Sequence, residues 1–269
     1  MPTWETENIF AGTAAYYARY RPEYPEQVIR LLVDKYSLDK KSRVLDLGCG
    51  PGSVAVKIAP FVDDVVAIDP LDEMLKQGKT IAAANNVSNI KWLLGESGKL
   101  TSLAGDIGKI DLVVIAQAFH WMDEEQTLRD LYPMVKGGGG LALIAADGPK
   151  TDSPDTPWKV IIQDTTRCWL GEIRRAGTKG IYTHRAKRFE EVLEDSEFHG
   201  LETASITVER IWTFDNIIGY LYSTSSCSIP ILGDKKEGFE KDLRERLAAS
   251  EPSGLFKENA VTEVMMVWK

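Results

Sequence analysis

Short apolar runs alternate with amphipathic stretches through the first 147 residues. The apolar runs have the length of strands and cover residues 43–47, 65–68, 90–94, 110–116 and 141–146. Between them, Val28, Leu31, Leu32 and Tyr36 have the spacing of one helix face. This alternation predicts an α/β fold in which parallel strands carry helices on both faces, as in doubly wound sheets.

Helix and turn signals mark the end of this region. Asp123 followed by Gln126 predicts a helix start, and Pro133 predicts the end or a kink of that helix. The four consecutive glycines at 137–140 predict a tight turn before the fifth strand.

The pattern changes after Asp147. Proline and glycine at 148–157 predict a loop that leaves the sheet, and residues 157–200 are polar, rich in arginine and helical in pattern. We expect this insertion to lie over the carboxyl edge of the sheet, where open α/β folds bind ligands. Residues 201–212 and 261–268 return to strand-like sequence and predict a late antiparallel pair, which brings the sheet to seven, mostly parallel, strands.

Composition narrows the class of protein. The chain is 43% hydrophobic and carries 32 basic against 40 acidic side chains, a formal charge of −8, which disfavours nucleic acid as a partner. No apolar run approaches the roughly 18 residues of a membrane helix, and the first ten residues contain acids where a signal peptide has lysines. Cys49, Cys168 and Cys227 are widely spaced and predict reduced thiols, with neither disulfides nor a metal site. We expect a cytoplasmic protein without membrane partners.

The most informative segment is VLDLGCGPG at residues 44–52, a buried-type strand that runs into a glycine turn. A phosphate-binding loop of the G-x-x-x-x-G-K-[ST] type does not fit it, and neither does the stretch 95–100. The dinucleotide pattern G-x-G-x-x-G fails because Ser53 stands at its third glycine, which weakens a nicotinamide-dependent oxidoreductase as an alternative.

Two acidic residues accompany this loop. Asp46 precedes the first glycine by two residues, and Asp69 ends the following strand. A carboxylate at the tip of the second strand is placed to accept hydrogen bonds from both ribose hydroxyls, and an acid beside the loop suits an amine better than a pyrophosphate. The predicted ligand is a nucleoside with a cationic tail.

These segments resemble the class I S-adenosylmethionine-dependent methyltransferases, which have a Rossmann-like sheet. VLDLGCGPG resembles the signature loop of that family. Phe10, Ala14, Tyr17 and RPEYP at 21–25 resemble the amino-terminal cover of the branch that includes trans-aconitate methyltransferase, within the type 11 methyltransferase domains. LGES at 94–97 and AQAFHW at 116–121 are similar to the stretches after the third and fourth strands.

The resemblance implies S-adenosylmethionine as cofactor and assigns its contacts. Asp46, Gly48 and Gly50 would hold the methionyl and ribose region, and Asp69 the ribose hydroxyls. Leu71 would contact one adenine face, and Glu96 with Ser97 the adenine edge. Tyr17, Arg21 and Gln117 would close over the methionyl group, with Arg21 paired to its carboxylate. Many relatives have Asp-Ala at the positions of Glu96 and Ser97.

The resemblance also implies an organisation of the chain. Residues 1–42 would form helices that cover the cofactor, 43–147 the binding core, 148–200 a helical cap on the substrate side, and 201–269 the completion of the sheet with further cap helices.

Candidate residues for the acceptor are found at two places. His120 follows the fourth strand and titrates near neutrality, which makes it the candidate general base for a hydroxyl, amine or carbon acceptor, whereas a carboxylate acceptor needs none. In the insertion, Arg167, Arg174 and Arg185 with His184 are candidates for binding an anionic substrate, against the alternative of a solvated helix face.

We expect a monomeric or homodimeric enzyme with a small-molecule acceptor, such as an acid or a secondary metabolite. Two alternatives stay open. One is methylation of RNA or protein, and the other is a non-catalytic S-adenosylmethionine-binding regulator.

Overall fold

The computed structural model describes residues 10–149, 156–173, 175–177, 180–181 and 187–269. The strands are β1 (Arg43–Leu47), β2 (Asp64–Asp69), β3 (Ile90–Leu94), β4 (Ile110–Ala116), β5 (Val135–Ala146), β6 (Arg175–Ala176), β7 (Gly180–Ile181), β8 (His199–Trp212) and β9 (Phe256–Trp268). Seven of them form one sheet, in the order β3-β2-β1-β4-β5-β9-β8, and β6 and β7 form a separate short ladder.

The direction of the strands follows the sequence prediction. Strands β1 to β5 pair in parallel, and β9 lies antiparallel to both β5 and β8. The mostly parallel seven-stranded sheet and the late antiparallel pair are therefore confirmed. Because the strand order reverses between β1 and β4, the carboxyl ends of these two strands border the crevice in which open α/β sheets bind ligands.

Within the described ranges, two helices precede β1, and the other helices lie between successive strands. The helices are α1 (Ala14–Tyr20), α2 (Glu26–Lys35), α3 (Ala55–Ile58), α4 (Asp72–Ala84), α5 (Leu100–Ile107), α6 (Glu124–Leu131), α7 (Pro157–Leu170), α8 (Phe189–Glu194), α9 (Phe214–Tyr222), α10 (Ile229–Leu232) and α11 (Lys236–Ser250). Helix α6 begins as predicted, since the Asp123 side chain accepts a hydrogen bond from the Gln126 backbone at 3.1 Å. It ends at Leu131, immediately before a 3₁₀ turn that contains Pro133.

Helices cover both faces of the sheet, as the alternating pattern predicts. Val44 and Leu112 face one side, where they pack with Val28 and Leu32 of α2. Leu45 and Val113 face the other side, where they pack against α5, α6 and α8. Successive strand residues thus serve two separate cores, which explains why the strands read as continuous apolar runs.

A third core lies among the later helices. Trp158 and Ile162 of α7 pack with Leu221 of α9 and with Phe239 and Leu243 of α11. The predicted cap segment, 148–200, therefore contributes α7 to this helical layer and α8 to a core of the sheet.

The glycine run at 137–140 lies inside β5, so the predicted turn is wrong. A Cβ on Gly139 would lie 2.4 Å from the Asp111 carbonyl oxygen, and one on Gly140 2.1 Å from the Val267 carbonyl oxygen. The strand needs glycine because neighbouring strands approach its backbone too closely for a side chain.

Candidate functional site

The glycine loop joins β1 to α3 at the carboxyl edge of the sheet. Gly48, Gly50 and Gly52 all have positive φ, a conformation that glycine adopts without steric cost. A Cβ on Gly48 would lie 2.5 Å from the Cβ of Ala118, so the loop packs directly against the segment that follows β4. The loop is fixed to β2 by hydrogen bonds from the Gly48 and Cys49 backbones to the Ile68 carbonyl.

Asp69 holds the same loop from the end of β2. Its Oδ2 accepts a hydrogen bond from the Gly50 backbone at 2.8 Å, and its Oδ1 accepts one from the Leu71 backbone at 2.9 Å. Burial raises the pKa of Asp69 to about 6, although both hydrogen bonds favour the ionised form. Each carboxylate oxygen can accept a further hydrogen bond, so Asp69 can still bind a hydroxyl of a ligand.

Asp46 lies beneath the loop and is fully buried. Its Oδ2 accepts a hydrogen bond from the Ala55 backbone at 2.9 Å, whereas its Oδ1 has no hydrogen-bond partner among the residues of the described ranges. Burial raises the pKa of Asp46 to about 7, and the negative charge of Asp69 adds to this effect. Asp46 does not line the cavity described next, which indicates that it supports the loop from below.

A cavity of about 340 Å³, the cofactor cavity, opens between the glycine loop and the ends of β2 and β4. Eight of the ten predicted cofactor residues line it: Tyr17, Gly48, Gly50, Asp69, Leu71, Glu96, Ser97 and Gln117. The wall also includes Phe10, which the resemblance places in the amino-terminal cover, and Met74, Trp121 and Met122, to which the sequence assigned no role. Phe10 and Trp121 lie within the segments that resemble the family, and this position is the only feature of the sequence that indicates a contact with the cofactor.

Aromatic side chains close one side of this cavity. The ring of Phe10 packs edge-on against Tyr17, with centroids 6.1 Å apart, and against Trp121, with centroids 5.7 Å apart. Because Tyr17 belongs to α1 and Trp121 follows β4, Phe10 joins the amino-terminal segment to the sheet edge. Aromatic walls of this kind exclude water from a site.

Gln117 is the first residue after β4 and has a positive φ of 55°, which is uncommon outside glycine. Its backbone donates a hydrogen bond to the Ile144 carbonyl, and its Nε2 donates one to the Ala146 carbonyl at 2.6 Å. Both bonds attach this residue to β5 and hold the unusual conformation. Non-glycine residues with such backbones cluster at binding sites.

A second cavity, of about 40 Å³, adjoins the first and shares Tyr17 and Gln117 with it. We call it the arginine cavity, because Arg21 and Arg210 line it. Arg21 is thus placed beside the cofactor cavity and not in its wall. Tyr220 lines the arginine cavity as well.

The guanidinium of Arg21 is held between two rings. Its central carbon lies 4.6 Å from the ring centroids of both Tyr17 and Tyr220, and its Nε donates to the Ser223 hydroxyl at 2.8 Å. Within the described ranges, Arg21 makes no ion pair with a carboxylate. The charge of Arg21 is therefore fixed in place by neutral groups, which is favourable for binding an anion.

Of the predicted acceptor residues in the insertion, Arg167 is the one that the described ranges include, and it is not brought to these cavities. Arg167 lies on the exposed surface of α7, where it pairs with Glu172 at 3.0 Å and Asp164 at 3.3 Å, and it lines neither cavity. Arg174, His184 and Arg185 lie outside the described residues.

His120 is not in the wall of the cofactor cavity. It lines a third cavity, of about 20 Å³, which shares Gln117 and Ala118 with the cofactor cavity, and its ring lies 4.7 Å from that of Trp121 in the cofactor-cavity wall. Its role as a base stays a prediction.

No group of three or more His, Cys, Asp or Glu side chains suited to a metal ion occurs within the described ranges. None of the helices in those ranges has both the length and the apolar character needed to cross a membrane.

Residues 44–139 match a protein family described as a methyltransferase domain. This segment contains the glycine loop, Asp69 and Gln117. Residues 44–139 of this chain thus carry a methyltransferase domain. The resemblance of VLDLGCGPG to a methyltransferase family is thereby confirmed.

Relatives of the methyltransferase are found in fungi and bacteria. An uncharacterized methyltransferase of Schizosaccharomyces pombe is 32% identical over 136 residues, which cover 50% of this chain and 51% of the relative. A methyltransferase-like protein of the same organism is 25% identical over 79% of this chain and 78% of its own. An uncharacterized methyltransferase of Mycobacterium tuberculosis is 33% identical over 50% of this chain and 51% of its own. The first and third matches thus span about half the length of those relatives.

Solved structures share the fold of the methyltransferase. A protein of Anaeromyxobacter dehalogenans, provisionally named a type II methyltransferase, superposes with a TM-score of 0.59 at 19% identity, over 92% of this chain and 97% of its own. A phosphoethanolamine N-methyltransferase of Haemonchus contortus, solved with S-adenosylhomocysteine, superposes with a TM-score of 0.53 at 12% identity, over 99% of this chain and 60% of its own. Both likenesses confirm the Rossmann-like architecture.

The residues of the cofactor cavity fit S-adenosylmethionine. A Cβ on Gly50 would project toward Tyr17, whose ring is 3.8 Å away, so glycine at this position keeps that part of the loop free of a side chain. Asp69 offers carboxylate oxygens to hydroxyl groups, and Leu71 with Met74 offers apolar surface to a purine ring. The volume falls within the range of pockets that bury small ligands.

Proposed function

We propose that this chain transfers the methyl group of S-adenosylmethionine to a small-molecule acceptor, and that it belongs to the branch that includes trans-aconitate methyltransferase. A carboxylate is the acceptor class that we would test first. One observation carries the proposal: the cofactor cavity shares Tyr17 and Gln117 with a neighbouring arginine cavity of only about 40 Å³. A space of this size suits one group of a small molecule. The net charge of −8 supports an acceptor other than nucleic acid.

The residues of the cofactor cavity take separate parts of the cofactor in this proposal. Asp69 accepts the ribose hydroxyls, Leu71 contacts an adenine face, and Glu96 with Ser97 binds the adenine edge. The backbones of Gly48 and Gly50 border the methionyl region together with Tyr17 and Gln117. Arg21 binds the methionyl carboxylate from the adjoining cavity, and Asp46 holds the loop through Ala55.

The bound cofactor supplies a sulfonium methyl group, which the acceptor atom attacks as the carbon–sulfur bond breaks. The chain contributes position and exclusion of water, which can lower a barrier by about 7–11 kcal/mol in well-oriented reactions. Phe10, Tyr17 and Trp121 provide the cover that excludes water. A carboxylate acceptor needs no general base, which agrees with the position of His120 outside the cavity.

The test is transfer of labelled methyl from S-adenosylmethionine into a small-molecule extract of the source cells, followed by treatment of the product with base. Label released as volatile methanol identifies a carboxylate ester. Label stable to base identifies an ether, amine or carbon acceptor and contradicts the carboxylate.

Two further outcomes separate the alternatives. Label in added RNA or protein, and none in the extract, would contradict a small-molecule acceptor. Binding of S-adenosylhomocysteine without transfer to any of these fractions would indicate a regulator. Failure to bind S-adenosylhomocysteine would contradict the proposal as a whole.

A further inference from the structure

A larger groove adjoins the arginine cavity. This outer groove, of about 540 Å³, lies between the α1–α2 connection and the end of β8 with the start of α9. It shares five lining residues with the arginine cavity: Arg21, Pro22, Glu23, Tyr24 and Arg210. The outer groove, the arginine cavity and the cofactor cavity are therefore neighbours in that order. An acceptor needs a route of its own when the cofactor fills the cofactor cavity.

Arg210 stands where the outer groove meets the arginine cavity. It belongs to β8 and lies directly opposite Glu258 on β9. Its Nη1 forms an ion pair with Glu258 Oε1 at 3.1 Å and donates a hydrogen bond to the Asp147 carbonyl at 3.3 Å. The side chain is 16% exposed, so the guanidinium is largely withdrawn from water while it still borders the cavity.

Glu258 holds Arg210 as part of a buried cluster. Its Oε1 also accepts a hydrogen bond from Trp212 Nε1 at 2.7 Å, and its Oε2 pairs with Lys159 Nζ of α7 at 2.8 Å. The side chains of Lys159 and Glu258 are 4% and 2% exposed. A buried ion pair adds little net stability over apolar residues of the same volume, but it fixes the position of its members.

The cluster contains more positive than negative charge. One carboxylate, Glu258, faces the two cations Lys159 and Arg210. Among the described residues, two further acids line the arginine cavity: Asp147, whose Oδ2 accepts from the neutral Val261 backbone at 3.1 Å, and Glu23, which pairs with Lys57 at 2.7 Å. The four cations Arg21, Lys57, Lys159 and Arg210 still outnumber the three acids Glu23, Asp147 and Glu258.

Arg210 also has donors to spare. All of its hydrogen bonds within the described residues come from Nη1. The Nε and Nη2 donors are the pair with which arginine binds a carboxylate in a bidentate manner.

We infer that the acceptor enters through the outer groove and that Arg210, positioned by Glu258, binds an anionic group of the acceptor in the arginine cavity. This inference rests on the proposed function and replaces the arginines of the 148–200 segment as the substrate-binding residues. Arg21 binds the carboxylate of the cofactor, and Arg210 binds that of the acceptor. The two guanidinium groups that line the arginine cavity therefore bind two different carboxylates.

The test measures binding of succinate, citrate and benzoate, each against its neutral amide, to the protein saturated with S-adenosylhomocysteine. Titration calorimetry gives both affinities, and labelled methyl transfer identifies which of these acids is an acceptor. We expect at least one acid to bind tenfold or more tightly than its amide. Arg210→Gln should abolish this preference and leave the affinity for S-adenosylhomocysteine within twofold, and Arg210→Lys should restore part of it.

Two more variants test whether Glu258 positions Arg210 and whether the loss of an unrelated arginine has any effect. Glu258→Gln should reduce the acid-to-amide preference through Arg210, with unchanged S-adenosylhomocysteine affinity. Should Glu258→Gln unfold, the two Arg210 variants decide the question. Arg129→Gln removes an exposed arginine that pairs with Glu125 within α6, and it should change nothing.

Three results would overturn the inference. They are an undiminished acid preference in Arg210→Gln, an equal loss of S-adenosylhomocysteine and acid binding in that variant, and the absence of any acid that binds better than its amide. In the last case, retained S-adenosylhomocysteine binding and labelling of the cell extract would leave the proposed function intact, so the two failures are distinguishable.

Discussion

The carboxylate of Asp69 accepts a hydrogen bond from the backbone of Gly50 at 2.8 Å. An acid at the end of one strand thereby fixes the loop that ends the neighbouring strand, and both lie in the wall of the cofactor cavity. Its removal would disturb the loop as well as any direct contact with a ribose.

Asp69→Ala should weaken S-adenosylhomocysteine binding by about 1–3 kcal/mol, because ribose hydroxyls and two backbone NH groups lose their acceptor. Titration calorimetry measures the loss. Asp106→Ala removes an exposed carboxylate that pairs with Lys91 and serves as the control. Wild-type affinity in Asp69→Ala would show that the cofactor binds elsewhere.

Arg21 offers a test that depends on the ligand. If Arg21 binds the methionyl carboxylate, Arg21→Gln should lower the affinity for S-adenosylhomocysteine at least tenfold, since a charge-assisted pair is lost. The affinity for 5′-methylthioadenosine, which lacks the amino-acid portion, should change less than threefold. A similar loss for both ligands would mean that Arg21 acts through the packing of Tyr17 and Tyr220 instead.

Gly48→Ala should abolish measurable cofactor binding and lower the melting temperature. The new methyl group would lie 2.5 Å from the Cβ of Ala118, at a backbone φ of 74° that alanine disfavours. Gly105→Ala is the matched change, because Gly105 lies in α5 with no atom within 4 Å of its added methyl. We expect Gly105→Ala to stabilise the protein by about 0.5–1 kcal/mol. Equal melting temperatures for both variants would contradict the close packing of the loop.

The buried carboxyl of Asp46 predicts a pH dependence of stability. Its pKa rises from 3.8 in the unfolded chain to about 7 in the folded protein, so the folded state retains a proton that the unfolded state has released between these values. This contribution to stability is complete below about pH 4 and is lost as the pH rises through 7. The raised pKa of Asp69 has the same effect, and its contribution to stability is lost as the pH rises through about 6.

Asp46→Asn should therefore gain stability relative to the wild type as the pH rises from 5 to 8, because asparagine cannot ionise. Urea unfolding at four pH values in this range gives the free-energy difference between the two proteins. A difference that stays constant across the range would mean that Asp46 is not protonated in the folded state at pH 5.

His120→Gln should retain turnover within threefold of the wild type, because His120 is not in the wall of the cofactor cavity and a carboxylate acceptor needs no general base. Steady-state kinetics with the acceptor found in the labelled extract would measure this. A loss of a hundredfold or more in kcat, with unchanged KM for S-adenosylmethionine, would restore His120 as the general base.

Strands β1, β2 and β4 could be predicted from sequence because they are buried on both faces. Val44 and Leu45 serve different cores, so the apolar run is continuous and its ends are clear. The glycines of β5 misled the prediction, since the close approach of Val267 to Gly140 is a contact between strands far apart in sequence. The glycine loop could be predicted because the residues that define it, 46–52, are consecutive in the sequence.

The arginine cavity could not be predicted in the same way. Glu258 lies three residues before the start of the predicted strand at 261, and its partner Arg210 is opposite only through the register of β8 and β9. In the sequence, Arg210 is one charged residue in an alternating strand. Arg167 had the clearer signal, yet Glu172 and Asp164 neutralise it on the surface.

The bond from Arg21 to Ser223 joins residues that are 202 positions apart. During synthesis, a chain that has emerged through β5 already contains the glycine loop and Asp69, but it lacks the helix to which α1 attaches. Contacts of such long sequence separation form late, after the local ones. The enclosure of the cofactor cavity therefore depends on α9 as well as on the segments up to β5, so protection of a bound ligand requires residues that are synthesised long after the glycine loop.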